Sequence, residues 1–536
     1  MSAELEYMFR HALVCEGSYQ LLLPHERAAL HRVAMDLVPV DPADPDACAA
    51  EIARHAGQAR DYGHDDPTLR DQECEHLLRA ARKAGAAWDQ RSALAHFTRL
   101  LDRDTHDSTR RVAALSGLAG TYMNMGNRSA AKPLIAPGIE AARQAGATLH
   151  EAKLRRMMGE LLLEAGDFEG AQHHANLAWQ AGTRHADKPE QAQAGLLISR
   201  IMAARRDDEA ALRMMEQLYS QADTALTRSQ VANALGVFFA RRHLDEKARH
   251  WLEIAAAQAA ARTAEAGLRH QHAVALGNLG NVLDYLGDEQ AAAAAYQQAL
   301  EVHQSNGAHS WAALQYWNLG LLRNNRVQPD KALPLLHKAS EMFQELGQTL
   351  YLRQCRAGIA SALLYAGKVA EAEQLAGNVV PDKPDFAPDE FTLEAQNVRI
   401  HWALLRGDEA ATTRHIRRLR ELADAVGDEG EVALFELRLR LIGRAPDLPG
   451  LIPEIAALRQ RFFTHEGRVS QFAPLLVRMD EAELGRALWF RGHVVPELTP
   501  GLRAYLVDWL AAHQPQELQR LQSQDAPVWA ALTQGL

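Results

Sequence analysis

Cysteine is scarce in this chain. The four present, Cys15, Cys48, Cys74 and Cys355, stand far apart and form no C-x-x-C pair. That spacing excludes a disulfide framework and a cysteine-built zinc site, and it suits a reducing compartment. Aromatic residues make up only 6% of the chain. No run approaches the ~18 apolar residues of a membrane span. The opening residues carry Glu4 and Glu6 and no apolar core, so no secretory signal is expected. No stretch alternates apolar and polar residues as a strand would. Basic charge is in deficit: 58 Lys and Arg against 68 Asp and Glu leave a net charge of -10. Nucleic-acid binding in general needs a basic surface to neutralise phosphates, and that class is set aside. The expectation is a cytoplasmic protein with no membrane or nucleic-acid partner.

Catalytic signatures are also missing. No G-x4-G-K-[ST] occurs, and Gly367-Lys368 is followed by Val369. No H-E-x-x-H or G-x-S-x-G is present. The histidine clusters, His173-His174, His270-x-His272 and His243 with His250, lack an acidic ligand at fixed offset and read as exposed helix positions. Asp65-Asp66 and Asp102 with Asp104 fall in loop-like stretches and form no acid/base pair. Arg414, Arg417, Arg418 and Arg420 read as a solvated helix face. No catalytic residue, metal ligand or cofactor is assigned.

What the chain has in abundance is alanine, leucine and repetition. Hydrophobic residues reach 47% with few β-branched runs, the composition of closely packed helices. Two stretches repeat one pattern. The first reads Leu276-x2-Leu279-Gly280-x2-Leu283, then Gly287, then Ala292-x3-Tyr296 and Ala299. The second reads Tyr316-x2-Leu319-Gly320-x2-Arg323, then Ala332-x3-Leu336 and Ala339. Small residues of the first helix (A) recur at Ala119, Gly159, Ser199, Gly236, Gly280, Gly320, Ala360 and Ile400, in steps of 40, 40, 37, 44, 40, 40 and 40. Those of the second helix (B) follow at Ala131, Ala171, Ala211, Ala248, Ala292, Ala332 and Ala372. Turn glycines stand at Gly126, Gly166, Gly287, Gly367 and Gly407.

This resembles the tetratricopeptide pattern, whose standard unit is about 34 residues, so longer helices are expected here. The resemblance implies an all-α, right-handed superhelical solenoid of helix pairs, with Gly280 and Gly320 at the A–B contact. It divides the chain into a helical cap or linker (1–70), the repeat array (71–423) and a C-terminal helical region (424–536) that would cover the open end, with Trp489, Trp509 and Trp529 in its core. HEAT repeats share the period but lack the Gly-then-Ala signature.

The first hundred residues carry a second resemblance. Met8-Phe9-Arg10-His11-Ala12-Leu13, then Tyr19, Leu22 and Leu23, then Arg27-x2-Leu30-His31-Arg32-x-Ala34, and finally Glu51-Ile52-Ala53-Arg54-His55 stand in order. They look like the segment joining the nucleotide-binding module to the helical-repeat arm in STAND-class bacterial signalling ATPases. The family's P-loop has no counterpart here, so ATP hydrolysis is not carried over. The chain is expected to begin where the ATPase would have ended.

In a tetratricopeptide superhelix, helix A lines the concave face. Offsets from the small residue place Asn233, Arg241, Asn281, Asp284, Tyr285, Trp317, Leu321 and Asn324 there as a partner-binding groove, alongside Gly277 and Asn325. Asparagine amides suit capture of a peptide backbone, with Trp317 and Tyr285 as solvent-facing anchors. A carboxylate clamp would need a lysine where Gly277 stands. The expected function is a non-enzymatic scaffold for a protein or peptide, the sensor or partner-binding arm of a STAND-type system. The alternatives are a receptor that changes shape on binding a small peptide or metabolite, and an enzyme with its site in 424–536. Partner identity and oligomeric state are left open.

Overall fold

A helix of 17 residues and a turn of three set the rhythm of this chain. The computed structural model describes residues 16–426 apart from 64–65, 104–106, 243, 261–265, 287, 326–327, 381–389 and 406–407, and beyond 426 only 507, 511, 515–524, 529 and 533. After helical turns at 16–21 come α1 (Pro24–Leu37), α2 (Ala49–Asp61), α3 (Pro67–Ala86), α4 (Gln90–Arg103), α5 (Ser108–Asn124), α6 (Arg128–Gln144) and α7 (Thr148–Glu164). Next are α8 (Phe168–Arg184), α9 (Lys188–Ala204), α10 (Asp208–Gln221), α11 (Ala225–Ala240), α12 (Asp245–Ala260), α13 (Ala266–Tyr285) and α14 (Glu289–Ser305). The series ends with α15 (His309–Asn325), α16 (Pro329–Glu345), α17 (Thr349–Tyr365), α18 (Val369–Val379), α19 (Glu390–Leu405), α20 (Glu409–Val426) and α21 (Pro515–Gln524). Among the described residues there is no strand, only an isolated bridge between Asp41 and Asp44.

The turns explain the period. A residue with positive φ closes helix after helix at 20-residue intervals: Gly126, Gly146, Gly166, Ala186 and Arg206, and later Gly307, Gly347 and Gly367. The next residue in several turns is an Asp or Asn that caps the following helix. Asn127, Asp167, Asp187 and Asp207 each accept a backbone N–H three residues on. Each such cap stabilises its helix by about 1 kcal/mol. Two helices and two turns give 40 residues. The irregular steps of 37 and 44 fall where α10 is a turn shorter, 14 residues, and α13 longer, 20 residues.

Consecutive helices pack as antiparallel neighbours. The A helices of adjacent pairs also touch, along α3, α5, α7 and α9 and again along α15, α17 and α19, while B helices meet chiefly the A helices beside them. The A helices therefore lie on the inside of the local curve. All seven helix-B alanines are fully buried. Gly280 and Gly320 lie at the A–B contact: a Cβ would come within 2.6 Å of the Tyr296 ring and 2.7 Å of Leu336. The fold is an all-α, tetratricopeptide-like solenoid of helix pairs.

Packing divides the chain into two units. One contains Met1–Phe238, Glu253–His272 and Val302–Ala308; the other contains Phe239–Leu252, Ala273–Glu301 and His309–Leu536. Residues 1–15, including Phe9 and His11, and most of 424–536, including Trp489 and Trp509, lie outside the described residues.

Candidate functional site

The inner face is built by the A helices, and the structure sorts the eight groove positions into two classes. In the second unit, α13 gathers Asn281, Asp284 and Tyr285 near one group of helix B. The Tyr296 hydroxyl donates to Asn281 Oδ1 at 2.7 Å. Burial raises the Tyr296 pKa well above its ordinary value, and Asp284 and Tyr285 add to the effect. Tyr285 is 41% exposed and lies on the same helix as these two polar side chains. Arg241 is also exposed.

The other positions are occupied by packing. Trp317 is only 7% exposed and meets the Tyr351 ring edge-on at 6.4 Å. Asn324 is 3% exposed. Leu321 lies against Gly358, where a Cβ would stand 3.0 Å from its methyl. Gln315 reaches the backbone at Gly277 in the same way. The expectation that Trp317 and Asn324 face solvent is therefore corrected. With A helices touching, these positions fill the A–A contact instead of lining an open floor. Asn233, on α11 in the first unit, is half-buried.

The first unit carries an inner-face ladder that the repeat register did not single out. Arg110 on α5 pairs with Asp71 on α3. Arg156 on α7 donates to Glu190 on α9 at 2.9 Å and to Glu160 at 2.8 Å. Gln193 on α9 donates to Gln230 on α11 at 2.7 Å. Burial works against the Arg156 charge, but the Glu190 and Glu160 carboxylates outweigh it and raise its pKa. A polar residue recurring at matched offsets on successive A helices was the available signal: Lys153, Gln193 and Gln230 all stand six before the small residue.

Of the clustered histidines, His173 and His250 are exposed as expected, and His270 is not. His270 is buried and stacks on Trp88, and His303, fully buried, lies beside it with ring centroids 5.3 Å apart. In the N-terminal helices, the Tyr19 hydroxyl and His31 Nε2 are 2.8 Å apart, and His31 Nδ1 and His55 Nδ1 also 2.8 Å. Arg27 lies over the rings of Tyr19 and Tyr62. Tyr19, Arg27, His31 and His55, which carry the second sequence resemblance, thus form one cluster. Among the described residues no group of His, Cys, Asp and Glu could hold a metal ion, and no helix is long and apolar enough to cross a membrane.

No family model matches this chain, and no curated protein matches it. Solved structures with a likeness include a Rap protein complexed with Competence and Sporulation Factor, at 16% identity over 66% of this chain and 99% of that one, with a TM-score of 0.42. A tetratricopeptide repeat protein from Parabacteroides merdae matches at 15% identity over 53% of this chain and 98% of its own, with a TM-score of 0.36. A signal transduction ATPase of the STAND class with a tetratricopeptide repeat sensor, from Pyrococcus horikoshii, matches at 11% identity over 84% and 67%, with a TM-score of 0.44. At these scores the helix-pair architecture rests on the chain's own packing.

Proposed function

We propose that this chain is a non-enzymatic, cytoplasmic scaffold that seats a protein or peptide partner on the inner face of its helix pairs. The observation that carries the reading is the α13 cluster: Tyr285 is exposed on an inner-face helix, with Asn281 and Asp284 beside it around the Tyr296 hydroxyl. An exposed aromatic next to hydrogen-bonding groups is the chemistry of a binding hot spot. The A helices supply further polar side chains in register, suited to a ligand that runs along several helices. The N-terminal cluster of Tyr19, His31 and His55 supports a narrower reading, that the chain is the sensor or partner-binding arm of a STAND-type signalling system.

The test is affinity capture with purified wild type and with the Asp284→Ala/Tyr285→Ala variant, helicity being checked in both. The expected result is one or more partners retained by wild type and lost from the folded variant. An unchanged set of retained proteins would contradict the location of the site. A receptor that changes shape on binding a small peptide or metabolite is the second reading, favoured by the contact between Trp88 and His270.

A further inference from the structure

Trp88 ends α3 in a backbone state that suits glycine. Its φ is +59°, in the left-handed region that bulky side chains disfavour. At other helix ends the same state falls to Gly126, Gly146 and Gly166. The indole lies flat on the imidazole of His270, with centroids 3.5 Å apart and ring planes 16° apart. His270 belongs to α13, five helix pairs further along the chain. In a solenoid, repeats meet their nearest neighbours, and this contact does not. Both residues belong to the first unit.

The closure has opposing terms. Gln90, two residues after Trp88, is 2% exposed, and both polar atoms of its amide lack a hydrogen-bond partner. A buried amide left unpaired is penalised, as is the left-handed tryptophan. The ring stack and the burial of His270 and His303 favour the closed form. A strained residue at this long-range contact, with an unsatisfied amide two residues on, marks a joint that can open at small net cost.

We propose that the Trp88–His270 stack is a latch that closes the inner face of the first unit and opens to admit a ligand. The ligand's nature rests on the partner-binding reading; the latch itself does not need the partner to be known. Trp88→Gly removes the ring and suits the left-handed turn, so the variant should fold. Trp88→Phe keeps a stacking ring.

Hydrogen exchange of the full chain measures the closure. In Trp88→Gly, segments around 267–272 and 302–308 should exchange about tenfold faster or more, with the other helices unchanged. Trp88→Phe should stay close to wild type. Unchanged exchange in Trp88→Gly would show that the stack holds nothing closed. Faster exchange throughout the unit would show a core residue instead of a latch; either result overturns the proposal. Access is measured by alkylation of Gln193→Cys on the inner ladder with a polyethylene-glycol maleimide, read by peptide mass. Labelling should speed up when Trp88→Gly is added, and equal rates would overturn the claim that the latch covers the inner face. Neither readout involves a partner, so a failure of the partner-binding reading would be seen separately.

Discussion

Arg60, at the end of α2, donates a 2.5 Å hydrogen bond to Oε2 of Glu73, a carboxylate with no solvent exposure. From the other side Arg99 donates to Oε1 at 2.8 Å. Gly57 makes room for this arrangement, since a Cβ there would strike the Arg99 guanidinium. Glu73 thus ties α2, α3 and α4 together. Glu73→Ala would leave Arg60, Arg99 and Arg103 without the buried carboxylate they share and should destabilise by about 3–5 kcal/mol. The exposed pair Lys188–Asp223, at 2.7 Å, is the contrast: Asp223→Ala should cost about 1 kcal/mol or less. Urea unfolding of the two variants checks both, and similar losses would show that burial does not govern the Glu73 pair.

Gly280→Leu should drive its side chain into the Tyr296 ring, and Gly320→Leu into Leu336. Each should destabilise by about 1–3 kcal/mol, the range for an overpacked core. Chemical denaturation checks it; changes within about 0.5 kcal/mol at both positions would place the A–B contact elsewhere.

The turns and the A–B contact were legible because they are local. A glycine followed by Asp or Asn states a helix end and the next helix start together, as at Gly126-Asn127 and Gly166-Asp167. Gly280 and Tyr296 lie on adjacent helices, and their spacing repeats at Gly320 and Leu336. Of the groove positions read from the repeat register, Arg241 and Tyr285 are exposed, Asn281 and Asp284 are half-buried, and Trp317 and Asn324 are buried. Which groove positions are covered depends on how closely successive A helices approach, and a helical period in one repeat says nothing of that distance. Trp317 and Leu321 meet Tyr351 and Gly358 a whole repeat away. The Trp88–His270 contact and the Glu73 pairing join helices through ring and charge geometry that no short motif encodes.

The pairing of His270 with His303 gives a pH dependence with a defined sign. Burial lowers the His270 pKa to about 3, helped by the neighbouring His303, and burial lowers His303 to about 4. In the unfolded chain both titrate near the ordinary value of about 6.5. Between about 6.5 and these lowered values the unfolded chain binds protons that the folded chain refuses, so stability falls as pH falls and is flat above about 6.5. Each histidine contributes a slope of up to about 1.4 kcal/mol per pH unit in that window. Melting temperatures from pH 7.5 to 5 should fall less steeply for His270→Gln/His303→Gln than for wild type. Parallel curves would show that neither histidine is buried neutral.

Trp317 and Tyr285 should separate stability from binding. Trp317→Ala removes a buried ring and should cost about 3–5 kcal/mol. Tyr285→Ala removes an exposed ring and should change stability by about 0.5 kcal/mol or less. Thermal denaturation decides between this assignment and the reverse, in which Trp317 would be the dispensable residue.

The inner face as the seat of a partner is tested most directly by photocrosslinking in living cells. Benzoylphenylalanine replaces Tyr285 on the inner-face helix α13 in one strain and the exposed Glu301 on the B helix α14 in another. Discrete protein adducts should form from position 285, vanish when Asp284→Ala is added, and be absent from position 301. Adducts of equal yield from both positions, or from 301 alone, would contradict a partner seated on the inner face.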